Sequence, residues 1–177
     1  MGWIGSSSVP GPSDTELKEF EGWTLRLRPS ASDRPRPLLL IHGWTGDENS
    51  MWVFTRHLPA DYWIVAPRAP YATKPSGYSW RVGYPGRDSS PGVEDLRPSG
   101  ERLLGMLDRV AKDRGLDSPT WNVMGFSQGA VMAATLALLF PQRVGRVAML
   151  AGFMPRGAES LVGAQPLRAK AVFVSHG

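Results

Sequence analysis

The chain has 177 residues, of which 42% are hydrophobic and 20% charged, with no cysteine. That balance suits one ordinary globular domain, and it excludes disulfides, zinc–thiolate and iron–sulfur sites, and cysteine nucleophiles. The formal charge of +4 comes mostly from arginines scattered through loops, such as Arg34, Arg68 and Arg97, so no nucleic-acid stripe and no nucleic-acid partner is expected.

No apolar run approaches the ~20 residues of a membrane span. The opening stretch, MGWIGSSSVPGPSD, lacks the basic start and long apolar core of a secretory signal. Gly2 and Ser6 fit the short myristoylation pattern, but the Gly, Ser and Pro content reads as a disordered leader over residues 1–15. The expected location is the cytoplasm, and residues 16–177 are read as one domain.

WTLRLRPS alternates apolar and charged residues, as a half-exposed edge strand does. LLLIHG is an apolar run ending at glycine, the pattern of a buried parallel strand. TGDENSMWVFTRHLP predicts a helix, with Asp47 as N-cap, Met51, Phe54 and Leu58 on one face, and Pro59 at its end. YWIVAPRAP reads as a strand. Residues 69–92 form a long loop of the kind that is usually functional or mobile.

VEDLRPSGERLLGMLDRVAKDRG is amphipathic, with Leu96, Leu103, Leu107 and Val110 at helical spacing. Gly115 is its stop, and Pro98 marks a break or restart. TWNVMG is a strand. SQGAVMAATLALLF is a helix apolar nearly all round, which requires cover on every side. RVAMLAGFM and KAVFVSHG complete the strands. The alternation predicts an α/β fold with a mostly parallel central sheet and helices on both faces.

Between the TWNVMG strand and its helix lies GFSQG, a G-x-S-x-G sequence. In a nucleophile elbow the serine occupies a strained strand-to-helix turn with its hydroxyl above the sheet, and the flanking glycines avoid crowding the neighbouring backbone. Ser127 is therefore the candidate nucleophile, with Gly125 and Gly129 as the elbow glycines. The plainer alternative is a serine that only caps the helix. An oxyanion hole needs two backbone donors, one on the residue after the nucleophile and one on the loop after an early strand. Gln128 and Trp44 fill those places.

Three stretches resemble the phospholipase/carboxylesterase branch of the α/β-hydrolases, which includes acyl-protein thioesterases. They are LLLIHGWTGDENSMW, APRAPYATKPSGYSW and MGFSQGAVMAATLAL; the elbow is the most specific of them, and the likeness runs from about residue 23 to the end. The resemblance implies an α/β-hydrolase-type three-layer fold and hydrolysis of carboxylic esters or thioesters without cofactor or metal. Arg81 and Val82 depart from the aromatic and aspartate that many members carry after the tryptophan, so the pocket is expected to differ. Tyr71, Tyr78 and Trp80, with Trp44 and Trp52, lie on segments expected to rim the site. They point to a small apolar ester or thioester as substrate.

The triad order in this fold is Ser, then Asp or Glu, then His. After Ser127 the chain has one acid, Glu159, and one histidine, His176. The resemblance puts a His-Gly pair such as His176-Gly177 just before the loop that holds the catalytic aspartate. The chain is therefore expected to stop before the last strand and helix, with acid and base beyond residue 177. Two alternatives stand beside this: a complete enzyme using Glu159 and His176, and a non-catalytic binding protein on the same fold. His42 is expected to shape its turn, and His57 to end a helix. Oligomeric state is not legible.

Overall fold

The computed structural model describes residues 15–83, 90–116 and 120–176. The leader and its myristoylation pattern lie outside the described residues, apart from position 15. Seven strands form one sheet in the order β1-β2-β4-β3-β7-β8-β9. These are β1 (Glu16–Phe20), β2 (Trp23–Arg28), β3 (Arg36–Ile41), β4 (Tyr62–Pro67), β7 (Trp121–Phe126), β8 (Val144–Leu150) and β9 (Ala171–Ser175). The β1-β2 and β2-β4 pairs are antiparallel, and every pair from β4 to β9 is parallel. A two-stranded ribbon, β5 (Tyr71–Ala72) and β6 (Tyr78–Ser79), stands apart.

The central strands are apolar on both faces because both faces are covered. Alternate side chains divide between two clusters, as the pleat requires. Leu39, Ile41, Trp63, Val65 and Val123 face α1 (Val93–Asp113) and α2 (Gln128–Leu139). Leu38, Leu40, Ile64 and Ala66 face Met51, Trp52, Phe54 and Leu58. Among the described residues both long helices thus lie on one face, and the 3-10 turn Trp52–Phe54 covers the other. The helix α2 is buried from Gln128 to Leu138, as its all-round apolarity demanded.

The helix expected over residues 45–59 is instead a chain of tight turns with a single 3-10 turn at Trp52–Phe54. Its polar side chains take the backbone groups a helix would need. The Asp47 carboxylate accepts the Asn49 N–H, the Ser50 hydroxyl accepts the Asp47 N–H, and the Trp52 indole donates to the Glu48 carbonyl. The apolar face still lands as expected, with Met51, Phe54 and Leu58 against the sheet.

Two further expectations are corrected. The strand WTLRLR is interior, because ELKEF forms the true edge beside it. Pro98 does not break α1, which runs unbroken for 21 residues. Pro98 is the sixth residue of the helix, so the N–H it lacks costs one intrahelical bond, to the Glu94 carbonyl, and the helix continues past it. The start of α1 is secured by the Gly92 N–H donating to the Asp95 carboxylate at 2.8 Å. At the opposite margin, β9 leaves Val172, Phe173 and Val174 exposed.

Candidate active site

Strand β7 ends at Phe126, and α2 begins at Gln128, so Ser127 is the whole of the turn between them. Its φ of 51° and ψ of −117° lie in a region that L-residues rarely occupy. The strain is held in place by close backbone contacts. A Cβ at Gly125 would stand 2.0 Å from the Gly129 carbonyl oxygen, and one at Gly129 would strike the Ile41 and His42 carbonyls. The Ser127 N–H donates to the Leu150 carbonyl at 2.9 Å, and the Ser127 carbonyl accepts the Ala130 N–H at 2.9 Å. The two elbow glycines thus sit where only glycine fits.

The loop after β3 comes down beside this turn. A Cβ at Gly43 would lie 3.3 Å from the Ser127 Cβ. The Gly43 carbonyl accepts the Gly46 N–H at 3.1 Å and a hydrogen bond from His42 Nδ1 at 2.7 Å. His42 Nε2 accepts the Ala69 N–H at 3.0 Å, which leaves the ring proton on Nδ1. Burial lowers the His42 pKa further than the Gly43 hydrogen bond and the nearby carboxylates raise it. His42 is thus a neutral, doubly engaged ring that shapes the turn. Gln128 N–H, at the first position of α2, has no intrahelical acceptor.

Both backbone donors expected from the sequence thus lie on segments that flank Ser127. The aromatic residues fare differently. Trp80 is fully buried, with its indole N–H donating to the His42 carbonyl at 2.9 Å. It belongs to the core and not to a pocket wall, because its one polar atom has its partner inside the fold. Tyr78 exchanges backbone bonds with the loop: its N–H donates to the Gly46 carbonyl, and its carbonyl accepts the Thr45 N–H. Tyr71 lines a separate recess with Arg81, Val82 and Asp95, of about 210 Å³, which does not include Ser127. The larger apolar recess of about 660 Å³ between Leu138 and Leu167 also omits it. Phe126, directly before Ser127, and Trp44, directly after Gly43, are exposed apolar residues on the two segments that meet at the turn. A Cβ at Gly152 would stand 3.2 Å from the Ser127 carbonyl oxygen.

Glu159 lies in the 3-10 segment Ala158–Ala164, and His176 follows β9; both are exposed. Among the described residues, no hydrogen bond or ion pair joins either of them to Ser127 or to each other. His176 lies at the same end of the sheet as Ser127, because Phe126, Leu150 and Ser175 are in register across β7, β8 and β9. Two strand spacings put its backbone about 10 Å from that of Ser127.

Two features were not anticipated. Gln128, read only for its backbone, has a buried side chain: Oε1 accepts the Trp80 N–H at 3.1 Å, and Nε2 donates to the Ser79 hydroxyl at 3.0 Å. The Glu48 carboxylate, 3% exposed, receives Arg68 Nε at 2.7 Å and NH2 at 3.0 Å. Burial pushes the Glu48 carboxyl up, and the Arg68 hydrogen bond and charge outweigh it, leaving the pKa lowered. Arg68 also lies over the Tyr78 ring, 4.8 Å from its centre.

This chain belongs to the alpha/beta hydrolase fold family, whose pattern it matches over residues 36–171. Its structure is similar to that of the carboxylesterase from Mesorhizobium loti, with a TM-score of 0.69 and 18% identity, over 92% of this chain and 88% of that one. It is similar also to the Bacillus cereus carboxylesterase, with a TM-score of 0.70 and 17% identity, over 88% and 85%. In sequence it is 28% identical over 149 residues to the dihydrolipoyllysine-residue acetyltransferase component of the acetoin cleaving system of Pseudomonas putida. That match takes in 83% of this chain and 35% of the relative, so the chain spans about a third of that protein's length. Among the described residues, no helix is long and apolar enough to cross a membrane.

Proposed function

We propose that this chain carries the nucleophile and oxyanion hole of a serine carboxylesterase or thioesterase. The observation that carries the reading is the strained backbone of Ser127, held between Gly125 and Gly129 with Gly43 packed against its Cβ. A positive φ at a serine is retained where the surroundings force it, and such strain gathers at reactive positions. Ser127 Oγ attacks the acyl carbonyl, and the N–H groups of Trp44 and Gln128 stabilise the oxyanion. Each such donor is worth about 3 kcal/mol of transition-state stabilisation. The alcohol or thiol departs, and water then releases the acyl group. The carboxylesterase neighbours in structure lend the reaction class support.

The general base and its orienting acid are supplied by residues beyond Gly177. Supporting this, Glu159 and His176 are both exposed, and neither is bonded to Ser127 among the described residues. The exposed Trp44 and Phe126, on the two segments that flank Ser127, suit a small apolar acyl group. In a second reading His176 is the base; its position at the Ser127 end of the sheet favours that.

Labelling the full-length protein with a fluorophosphonate probe tests both. Modification of the wild type and of H176A, with none of S127A, supports a base beyond residue 177. Loss of labelling in H176A transfers the role to His176. A wild type that neither labels nor hydrolyses p-nitrophenyl esters or acyl thioesters makes this a non-catalytic member of its family.

A further inference from the structure

The two proposed oxyanion donors sit on different parts of the chain. Trp44 follows β3, and Gln128 opens α2, 84 positions later. An oxyanion hole functions only when both N–H groups converge on one point. Something must therefore hold the β3 loop and the α2 terminus at a fixed separation.

The Trp80 residue touches both. Its backbone N–H donates to Gln128 Oε1 at 3.1 Å, and its indole N–H donates to the His42 carbonyl at 2.9 Å. Its side chain is fully buried, and its ring centre lies 5.2 Å from that of His42. From the His42 carbonyl the constraint passes to the next peptide. His42 Nδ1 and the Gly46 N–H together hold the Gly43 carbonyl. The Gly43–Trp44 peptide is trans, so fixing its carbonyl fixes the direction of the Trp44 N–H on the opposite side.

We propose that Trp80 is a positioning residue that sets the separation and aim of the two oxyanion donors by hydrogen-bonding both segments at once. The proposal rests on the esterase reading above. It assigns Trp80 no contact with substrate, and so separates it from the aromatic residues that could line an acyl pocket.

The test is made on the full-length protein with p-nitrophenyl esters, with rates expressed per active site titrated by a fluorophosphonate. At position 80 two replacements are compared: Trp80→Phe, and the isosteric analogue 3-benzothienylalanine, which keeps the bicyclic ring and exchanges only the indole N–H for sulfur. The control is Trp121→Phe, since the buried Trp121 indole N–H has no partner among the described residues. Displacing a catalytic group by about 1 Å costs on the order of 100-fold. Both replacements at position 80 are expected to lower kcat by about 10- to 100-fold with KM within about twofold. Affinity for an alkylboronic acid is expected to weaken in parallel with kcat/KM, while Trp121→Phe leaves kcat unchanged.

An unchanged kcat per titrated site with the benzothienyl analogue overturns the proposal and leaves Trp80 as packing alone. A raised KM at constant kcat overturns it differently, by placing Trp80 against the substrate. If Trp80→Phe does not fold, the analogue decides. A wild type without turnover or labelling overturns the esterase reading itself, and this inference with it.

Discussion

Gly129 lies against Ile41 so closely that a Cβ on it would stand 2.0 Å from the Ile41 carbonyl oxygen. This is where α2 touches the sheet, two residues after the proposed nucleophile. Gly129→Ala would force β3 and α2 apart. We expect a loss of about 3 kcal/mol in stability, read by urea unfolding. A fall of at least about 100-fold in ester hydrolysis is also expected, because the displaced strand carries the Trp44 loop.

The strain at Ser127 makes a second prediction. Ser127→Ala and Ser127→Gly should both abolish labelling and hydrolysis. They should differ in stability, since glycine tolerates a φ of 51° and alanine does not. Ser127→Gly is expected to exceed Ser127→Ala by about 1–2 kcal/mol in denaturant unfolding. Equal stabilities would mean that the turn is not strained.

The Glu48–Arg68 pair predicts an acid-labile fastening of the loop. The folded Glu48 pKa lies below its ordinary value of 4.5. Its contribution is therefore complete above pH 4.5 and is lost as the pH falls through the depressed folded value. The stability difference between wild type and Glu48→Gln should be flat from pH 8 to 5 and shrink below about pH 4.5. Arg68→Met, which strands a buried carboxylate, should cost about 3 kcal/mol at pH 7. Guanidinium unfolding across that range checks both.

His42 titrates with the same sign for a different reason. Burial lowers its folded pKa below 6.5, so the native state prefers the neutral ring. That preference supports the fold fully above pH 6.5, weakens as the pH falls below it, and is gone below the folded value. His42→Asn keeps a donor for the Gly43 carbonyl but does not titrate. Its stability deficit against wild type should narrow between pH 7 and pH 5, measured by equilibrium unfolding.

How much of this was legible depended on distance along the chain. Strands β3 and β7 and helix α2 announce themselves by mainly apolar sequences. The elbow does so by three residues within five positions. The segment over residues 45–59 misled because its apolar spacing is truly helical, while Asp47, Ser50 and Glu48 divert the backbone into turns. Strand β2 looked like an edge because its outward residues, Arg26 among them, are polar. They face the Asn49 layer, with the Arg26 guanidinium donating to the Asn49 side chain at 2.6 Å. Gln128 and Trp80, 48 positions apart, and Glu48 and Arg68, 20 apart, meet only after the chain has folded. No local pattern marks either pair, and Trp80 in particular was read as pocket lining when its indole points into the core.

Strand β9 has one further consequence. Its apolar side chains point to both sides of the sheet, and among the described residues no strand pairs with its outer amides and carbonyls. Such a margin is a seed for growth. It will accept any extended apolar segment presented to it, whether a later part of the same polypeptide or a strand from another molecule. Phe173, 60% exposed, is the largest apolar side chain on that strand. A lysine there should suppress concentration-dependent association without disturbing the elbow two strands away.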